Sequence, residues 1–208
     1  MREILEQVPP DYYDVGTRRN LFQRIWHGRK WRVLQELLSR ESPTEILDVG
    51  CAGGLTTSHL ALWFPKARVT GLDTYDQAVI YGREHHAEVS FVLGDGHALP
   101  FASKRFDVVT CVETLEHLRD PTKAIAELRR CLRSEGLLIV GQDTDSLLFR
   151  VVWWLWTKSR GQVWDHAHVS AVDSSGLQAM LEDEGFRIVS KQFVFFGMEI
   201  FLKAHKAG

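Results

Sequence analysis

The sequence predicts an α/β protein built on a mostly parallel sheet with helices on both faces. Three observations carry that reading. Between Glu45 and Gly141, short apolar runs alternate with stretches of helical periodicity. A turn of small residues, Gly50-Cys51-Ala52-Gly53-Gly54, joins the first run to the first of those helices. The last two apolar runs have no helix between them, so they should pair antiparallel.

The bulk properties are those of an ordinary globular chain. It has 208 residues, 45% of them hydrophobic and 25% charged, which excludes a disordered or collagen-like protein. No linker or internal repeat divides it, so one domain over residues 1–208 is expected. Lys and Arg number 25 against 27 Asp and Glu, a net charge of −2, which weighs against a nucleic-acid partner. Cys51, Cys111 and Cys131 are too few and scattered for a disulfide framework, so a reducing, cytoplasmic setting is expected. The N-terminus lacks an apolar signal core, and no run reaches the ~18 apolar residues that span a bilayer.

The elements follow in order. Residues 1–15 read as a loose arm, because Pro9-Pro10 blocks a helix. From Arg18 to Arg40 apolar residues recur at helical spacing, alongside seven Lys or Arg and one Glu. Glu45 to Val49 is a buried strand and Leu55 to Phe64 a helix. Ala67 to Asp73, Val89 to Leu93, Phe106 to Val112 and Gly136 to Gly141 are further strands. Helices from Tyr75 to His86 and from Pro121 to Leu132 lie between them. Ser174 to Glu184 is a helix stopped by Gly185. Phe186 to Phe196 and Met198 to Ala204 are the antiparallel pair.

The glycine turn selects among ligands. Backbone N–H groups at a strand–turn–helix junction favour negative or acceptor-rich groups. The dinucleotide fingerprint Gly-x-Gly-x-x-Gly fails, since its second and third positions hold Ala52 and Leu55. No Gly-Lys-Ser/Thr of a phosphate loop is present. An acid, Asp48, sits two residues before Gly50, which suits a ligand that is cationic or rich in N–H and O–H donors. Two more acids end strands. Asp73 lies 23 residues after Gly50, near the ~20-residue spacing of a ribose-binding acid. Asp95 ends the third strand, ahead of Leu99-Pro100-Phe101.

Asp48-x-Gly50-x-x-x-Gly54 resembles motif I of the class I S-adenosylmethionine (SAM) methyltransferases, with Ala52 where that family commonly has glycine. The resemblance implies a Rossmann-like seven-stranded sheet whose last strand is antiparallel. It also implies SAM as methyl donor, S-adenosylhomocysteine as product, and a set of cofactor-contacting positions. These are Asp48, Gly50, Cys51, Ala52, Gly54, Asp73, Thr74, Asp95, Gly96, His97 and Cys111. Asp73 would accept from the ribose hydroxyls and Asp95 from the adenine amino group. Cys111 follows Thr110 rather than Pro in an apolar strand, so its side chain reads as a small core residue and not a nucleophile.

Glu113-Thr114-Leu115-Glu116-His117, followed by Asp120-Pro121, resembles the small-molecule group that includes the ubiquinone-biosynthesis O-methyltransferases. In some of those enzymes the cluster is associated with a divalent cation. A buttressing role for Glu116 is expected here, and no metal.

The acceptor side is less specific. Residues 1–42 are expected to form a helical lid and residues 143–173 an insertion beside it. Four of the seven tryptophans fall between Trp153 and Trp164. A hydroxyl acceptor needs a base, and His117 or His166 could serve. The expected function is O-methylation of an apolar or lipid-like small molecule, with peripheral contact to a membrane surface. The alternative is a SAM-binding sensor or partner subunit without turnover.

Overall fold

The computed structural model describes residues 8–158 and 173–207. Two helices precede the sheet, α1 (Tyr12–Arg19) and α2 (Leu21–Leu38). Helix α1 therefore begins inside the expected loose arm, and the expected single helix from Arg18 is broken. Asn20 is the reason. Its backbone is extended (φ −118°, ψ 113°), and its side chain accepts from the N–H groups of Phe22 and Gln23. That is an N-cap, which starts a new helix where periodicity alone would continue the old one.

The alternating part follows as β1 (Glu45–Val49), α3 (Leu55–Trp63), β2 (Arg68–Asp73), α4 (Asp76–His85) and β3 (Ser90–Leu93). Then come β4 (Phe106–Val112), a 3-10 turn at Leu115–His117, α5 (Pro121–Cys131) and β5 (Leu132–Asp143). Strand β5 is longer than its apolar run. It starts with a bulge around Glu135 (φ 58°), where the pairing to β4 jumps from Phe106↔Leu132 to Val108↔Leu137. Helix α6 (Leu147–Thr157) is capped by Ser146, which accepts from Phe149 N. The described chain ends with α7 (Ser174–Asp183), β6 (Phe186–Val194), a 3-10 turn at Phe195–Gly197 and β7 (Glu199–Lys206).

The seven strands are ordered β3-β2-β1-β4-β5-β7-β6. The pairs among β1 to β5 are parallel, and β7 is antiparallel to both β5 and β6. Alternate strand residues feed two cores, which is why the strands read as unbroken apolar runs. Leu47, Val109 and Leu138 join Ile125 and Leu128 of α5 and Leu177 and Leu181 of α7. Ile46, Val108 and Ile139 join Val33, Leu34, Leu37 and Leu38 of α2 and Leu60 of α3. Each such side chain contributes about 1.5–3 kcal/mol through burial. The strand order reverses between β1 and β4, and in open α/β sheets ligands bind in the crevice at the carboxyl ends there.

Candidate functional site

The loop after β1 is held by its own backbone. Gly50 N and Cys51 N donate to Leu72 O at 2.8 and 3.1 Å. Ala52 N donates to Asp73 Oδ2 at 2.7 Å, and Tyr75 N to Asp73 Oδ1 at 2.9 Å. Gly50 (φ 78°) and Gly54 (φ 92°) use the left-handed region open to glycine, and Ala52 is forced into it at φ 47°. Asp48 lies beneath the loop. It accepts from Thr57 Oγ1 at 2.6 Å and Thr110 Oγ1 at 2.7 Å. Burial pushes its pKa up to about 6, against those two hydroxyls. Asp73 is also raised by burial, although the N–H groups of Tyr75 and Ala52 pull it down.

Three hollows line this edge of the sheet. The first, about 110 Å³, is bordered by Pro10, Asp73, Thr74, Asp95, Gly96 and Leu118 among others. The second, about 60 Å³, is bordered by His27, Lys30, Trp31, Asp48, Gly50 and Cys51. The third, about 340 Å³, lies between α2 and α6, with Phe22, Trp26, Phe149, Trp153 and Trp156 in its wall. Tyr13 and Glu113 border all three. His27 is shared by the second and third, and His117 by the first and third.

Glu113 stands at the carboxyl end of β4 with a positive φ of 52°, a strained backbone for a non-glycine residue. Its N–H donates to Gly141 O at 2.7 Å, and its carboxylate pairs with the Lys30 ammonium of α2. Burial opposes the charge on both. Their mutual attraction outweighs it, holding Lys30 above the usual lysine value and Glu113 below the usual carboxylate range. Burial, then Lys30, pushes His27 down to about 3, so its imidazole is neutral. Burial, reinforced by Glu113, pushes Glu116 up to about 8. Asp143 and Glu199 are raised well above their ordinary values, by burial first.

The expected cofactor positions divide. Asp48, Gly50, Cys51, Ala52, Asp73, Thr74, Asp95 and Gly96 border the first two hollows. Gly54, His97 and Cys111 border none of the three. Gly54 starts α3, and a Cβ on it would run into the Phe91 ring. His97 turns its Nδ1 to Asp95 Oδ1 at 2.6 Å, so it supports Asp95. Cys111 points into the core beneath, fully buried. His117 is at the site, while His166 lies outside the described residues. The Glu113, Glu116 and His117 set does not fit a metal ion, because Glu113 is committed to Lys30. Among the described residues no group of three or more His, Cys, Asp or Glu could hold one.

Tyr13, His27, Lys30 and Trp31 were not legible as site residues. One signal was present: Gln23, His27 and Lys30 share the buried stripe of α2 with Leu34 and Leu37. Polar side chains on a core-facing stripe need partners and so point to a site.

The arrangement defines a class: an open α/β sheet with a small-residue loop and acids at successive strand ends, the frame of the class I methyltransferases. Residues 47–140 match the family described as "Methyltransferase domain". The chain is 31% identical over 158 residues to a ubiquinone biosynthesis O-methyltransferase of Nitrosomonas europaea, covering 72% of this chain and 66% of that protein. It is 29% identical over 130 residues to the demethylmenaquinone methyltransferase of Thermotoga maritima, covering 61% and 57%. Its fold matches the N-methyltransferase NodS from Bradyrhizobium japonicum, solved with S-adenosyl-L-homocysteine. The TM-score is 0.73 at 20% identity, over 100% of this chain and 98% of that one. The chain belongs among the class I methyltransferases of the small-molecule type. It spans 35% to 66% of the length of eight curated relatives that it matches.

Proposed function

We propose that the protein transfers a methyl group from SAM to an oxygen of an apolar small molecule. The observation that carries this is the meeting of the three hollows at Tyr13 and Glu113. The donor set fits SAM. Asp73 and Asp95 offer carboxylates to ribose hydroxyls and an adenine amino group in the first hollow, and the glycine loop borders the second. SAM supplies an electrophilic methyl group on a sulfonium. The residues at the junction align the acceptor, which is most of what methyl transfer requires. His117, shared by the first and third hollows, takes the hydroxyl proton. A sensor without turnover would need no third hollow, so the 340 Å³ cavity favours an enzyme. Relatives named as O-methyltransferases support an oxygen target.

In this reading α1, α2 and α6, the described helices of the expected segments 1–42 and 143–173, form the acceptor lid. Its outer surface and the neighbouring turn before β7 are apolar: Leu21, Ile25, Leu147 and Trp154, with Phe196 of the turn, are all more than half exposed. Phe22 against Trp156 (5.7 Å) ties α2 to α6, and Trp26 stacked on Phe195 (4.0 Å) ties α2 to the turn before β7. Arg24 and Arg150 are exposed on the same helices. Such a surface fits an anionic lipid face. No helix among the described residues is long and apolar enough to cross a membrane.

Calorimetry tests the cofactor. SAM and S-adenosylhomocysteine should bind and NAD should not. Asp73→Ala should weaken SAM by at least about tenfold, the loss of one charge-assisted hydrogen bond or more. NAD binding without SAM binding overturns the reading.

A further inference from the structure

Helix α2 carries three polar side chains on its buried stripe, Gln23, His27 and Lys30, and the fold uses two of them. Gln23 Nε2 donates to Tyr12 Oη at 3.1 Å, and Lys30 pairs with Glu113. His27 differs. It is 9% exposed, and its contacts among the described residues are with rings, Tyr13 edge-on at 5.3 Å and Trp31 at 6.0 Å. No hydrogen bond among the described residues holds its ring nitrogens. His85, His97 and His205 each turn one to an oxygen of the chain.

A buried polar group is nearly always hydrogen-bonded, and one left unbonded beside a cavity is completed by what fills the cavity. The His27 nitrogens are not sealed in the interior as the carboxyl oxygens of Glu116 are. His27 borders the second hollow, with the glycine loop, and the third, with the aromatic wall. Burial, then Lys30 one turn along α2, keeps its imidazole neutral. A neutral imidazole offers one N–H donor and one acceptor nitrogen. A hydroxyl satisfies either, where an ammonium meets only the acceptor and a carboxylate only the donor.

We propose that His27 receives the hydroxyl group of the acceptor, fixing its oxygen where the second and third hollows meet while the aromatic wall encloses an uncharged body. This rests on the reading of the third hollow as the acceptor site. His27 thereby selects for a hydroxyl and positions it. A proton is poorly held on His27, so the oxygen stays hydrogen-bonded there while His117, on the border of the first and third hollows, receives the proton.

The probe is 2-naphthol, and naphthalene is its control without the hydroxyl. Nitrogen NMR on the full chain labelled with [15N]histidine reads the contact, with the His27 signals assigned by their loss in His27→Gln. In the presence of S-adenosylhomocysteine, 2-naphthol should move the His27 ring nitrogens and naphthalene should leave them in place. By calorimetry, His27→Phe should weaken 2-naphthol about fivefold, the scale of one hydrogen bond between neutral groups, and leave naphthalene unchanged. His27→Gln, which keeps a donor and an acceptor, should lose less. The wild-type spectra stand if a variant fails to fold. No binding of 2-naphthol, unmoved His27 nitrogens, or equal losses for both probes overturns the proposal. So does a shift that S-adenosylhomocysteine alone produces in full, since His27 would then serve the cofactor. Binding of S-adenosylhomocysteine to the wild type reports separately. With it present and His27 silent to 2-naphthol, only this inference falls. With it absent and His27 responsive, the methyltransferase reading falls and the hydroxyl site remains.

Discussion

The loop at Gly50–Gly54 and the lid made by α1, α2 and α6 share one edge of the sheet but are held by different forces. Backbone hydrogen bonds to Leu72 and the carboxylate of Asp73 fix the loop, and hydroxyls fill the acid beneath it. Ring contacts and apolar packing hold the lid, which leaves Trp154 of α6 in solvent beside Phe196 of the turn before β7. Backbone hydrogen bonds are directional and tolerate little displacement. Apolar contacts are non-directional and can repack around different guests. The division suits a protein that holds one invariant ligand and admits a variable second one.

The contrast breaks most readily where the lid meets the sheet edge beside the loop, at Lys30 and Glu113 after β4. Lys30→Met leaves a carboxylate buried without its partner and should cost about 3–5 kcal/mol in urea unfolding. Adding Glu113→Gln should recover most of that loss. A cost under about 1 kcal/mol, the range of solvent-screened pairs, would mean that this pair does not tie the lid to the sheet.

The exposed rings of the lid and of the turn before β7 set the next effect. Trp154→Ala with Phe196→Ala should lower binding to phosphatidylglycerol vesicles by about tenfold or more, since each ring buries apolar area in the lipid. Stability should move by no more than about 0.5 kcal/mol per site, as for exposed positions generally. Unchanged sedimentation with the vesicles would leave the rings without a lipid partner.

The smallest effect belongs to the loop. Ala52 occupies φ 47°, which strains any residue with a Cβ. Ala52→Gly should stabilise the fold by about 0.5–1 kcal/mol, the left-handed strain relieved less the extra entropy of glycine. A lower thermal midpoint would show that the methyl group packs usefully.

Legibility followed the same division. Strands β1, β2 and β4 were readable because a strand buried on both faces is a run of apolar residues. The turn and the acids Asp73 and Asp95 were readable because they sit at strand ends, within a few residues of the pattern that marks them. The break at Asn20 was missed because helical periodicity runs across it, and only the capping hydrogen bonds reveal the new start. Cys111 stood among the cofactor positions through the resemblance alone; its side chain, read from the apolar strand as a core residue, is fully buried in the core.

By itself the sequence determined the alternation of strands and helices from β1 to β5, the glycine loop and the acids at the strand ends, because each depends on neighbours close in the chain. Tertiary structure alone decided that β7 slips between β5 and β6. It also decided that Lys30 meets Glu113, and that Glu116 and Asp143 share a cavity with Trp26 and Trp153. Those contacts join residues far apart in sequence. Local periodicity carries no record of them, because burial reveals that a side chain is inside but not which distant side chain it will meet.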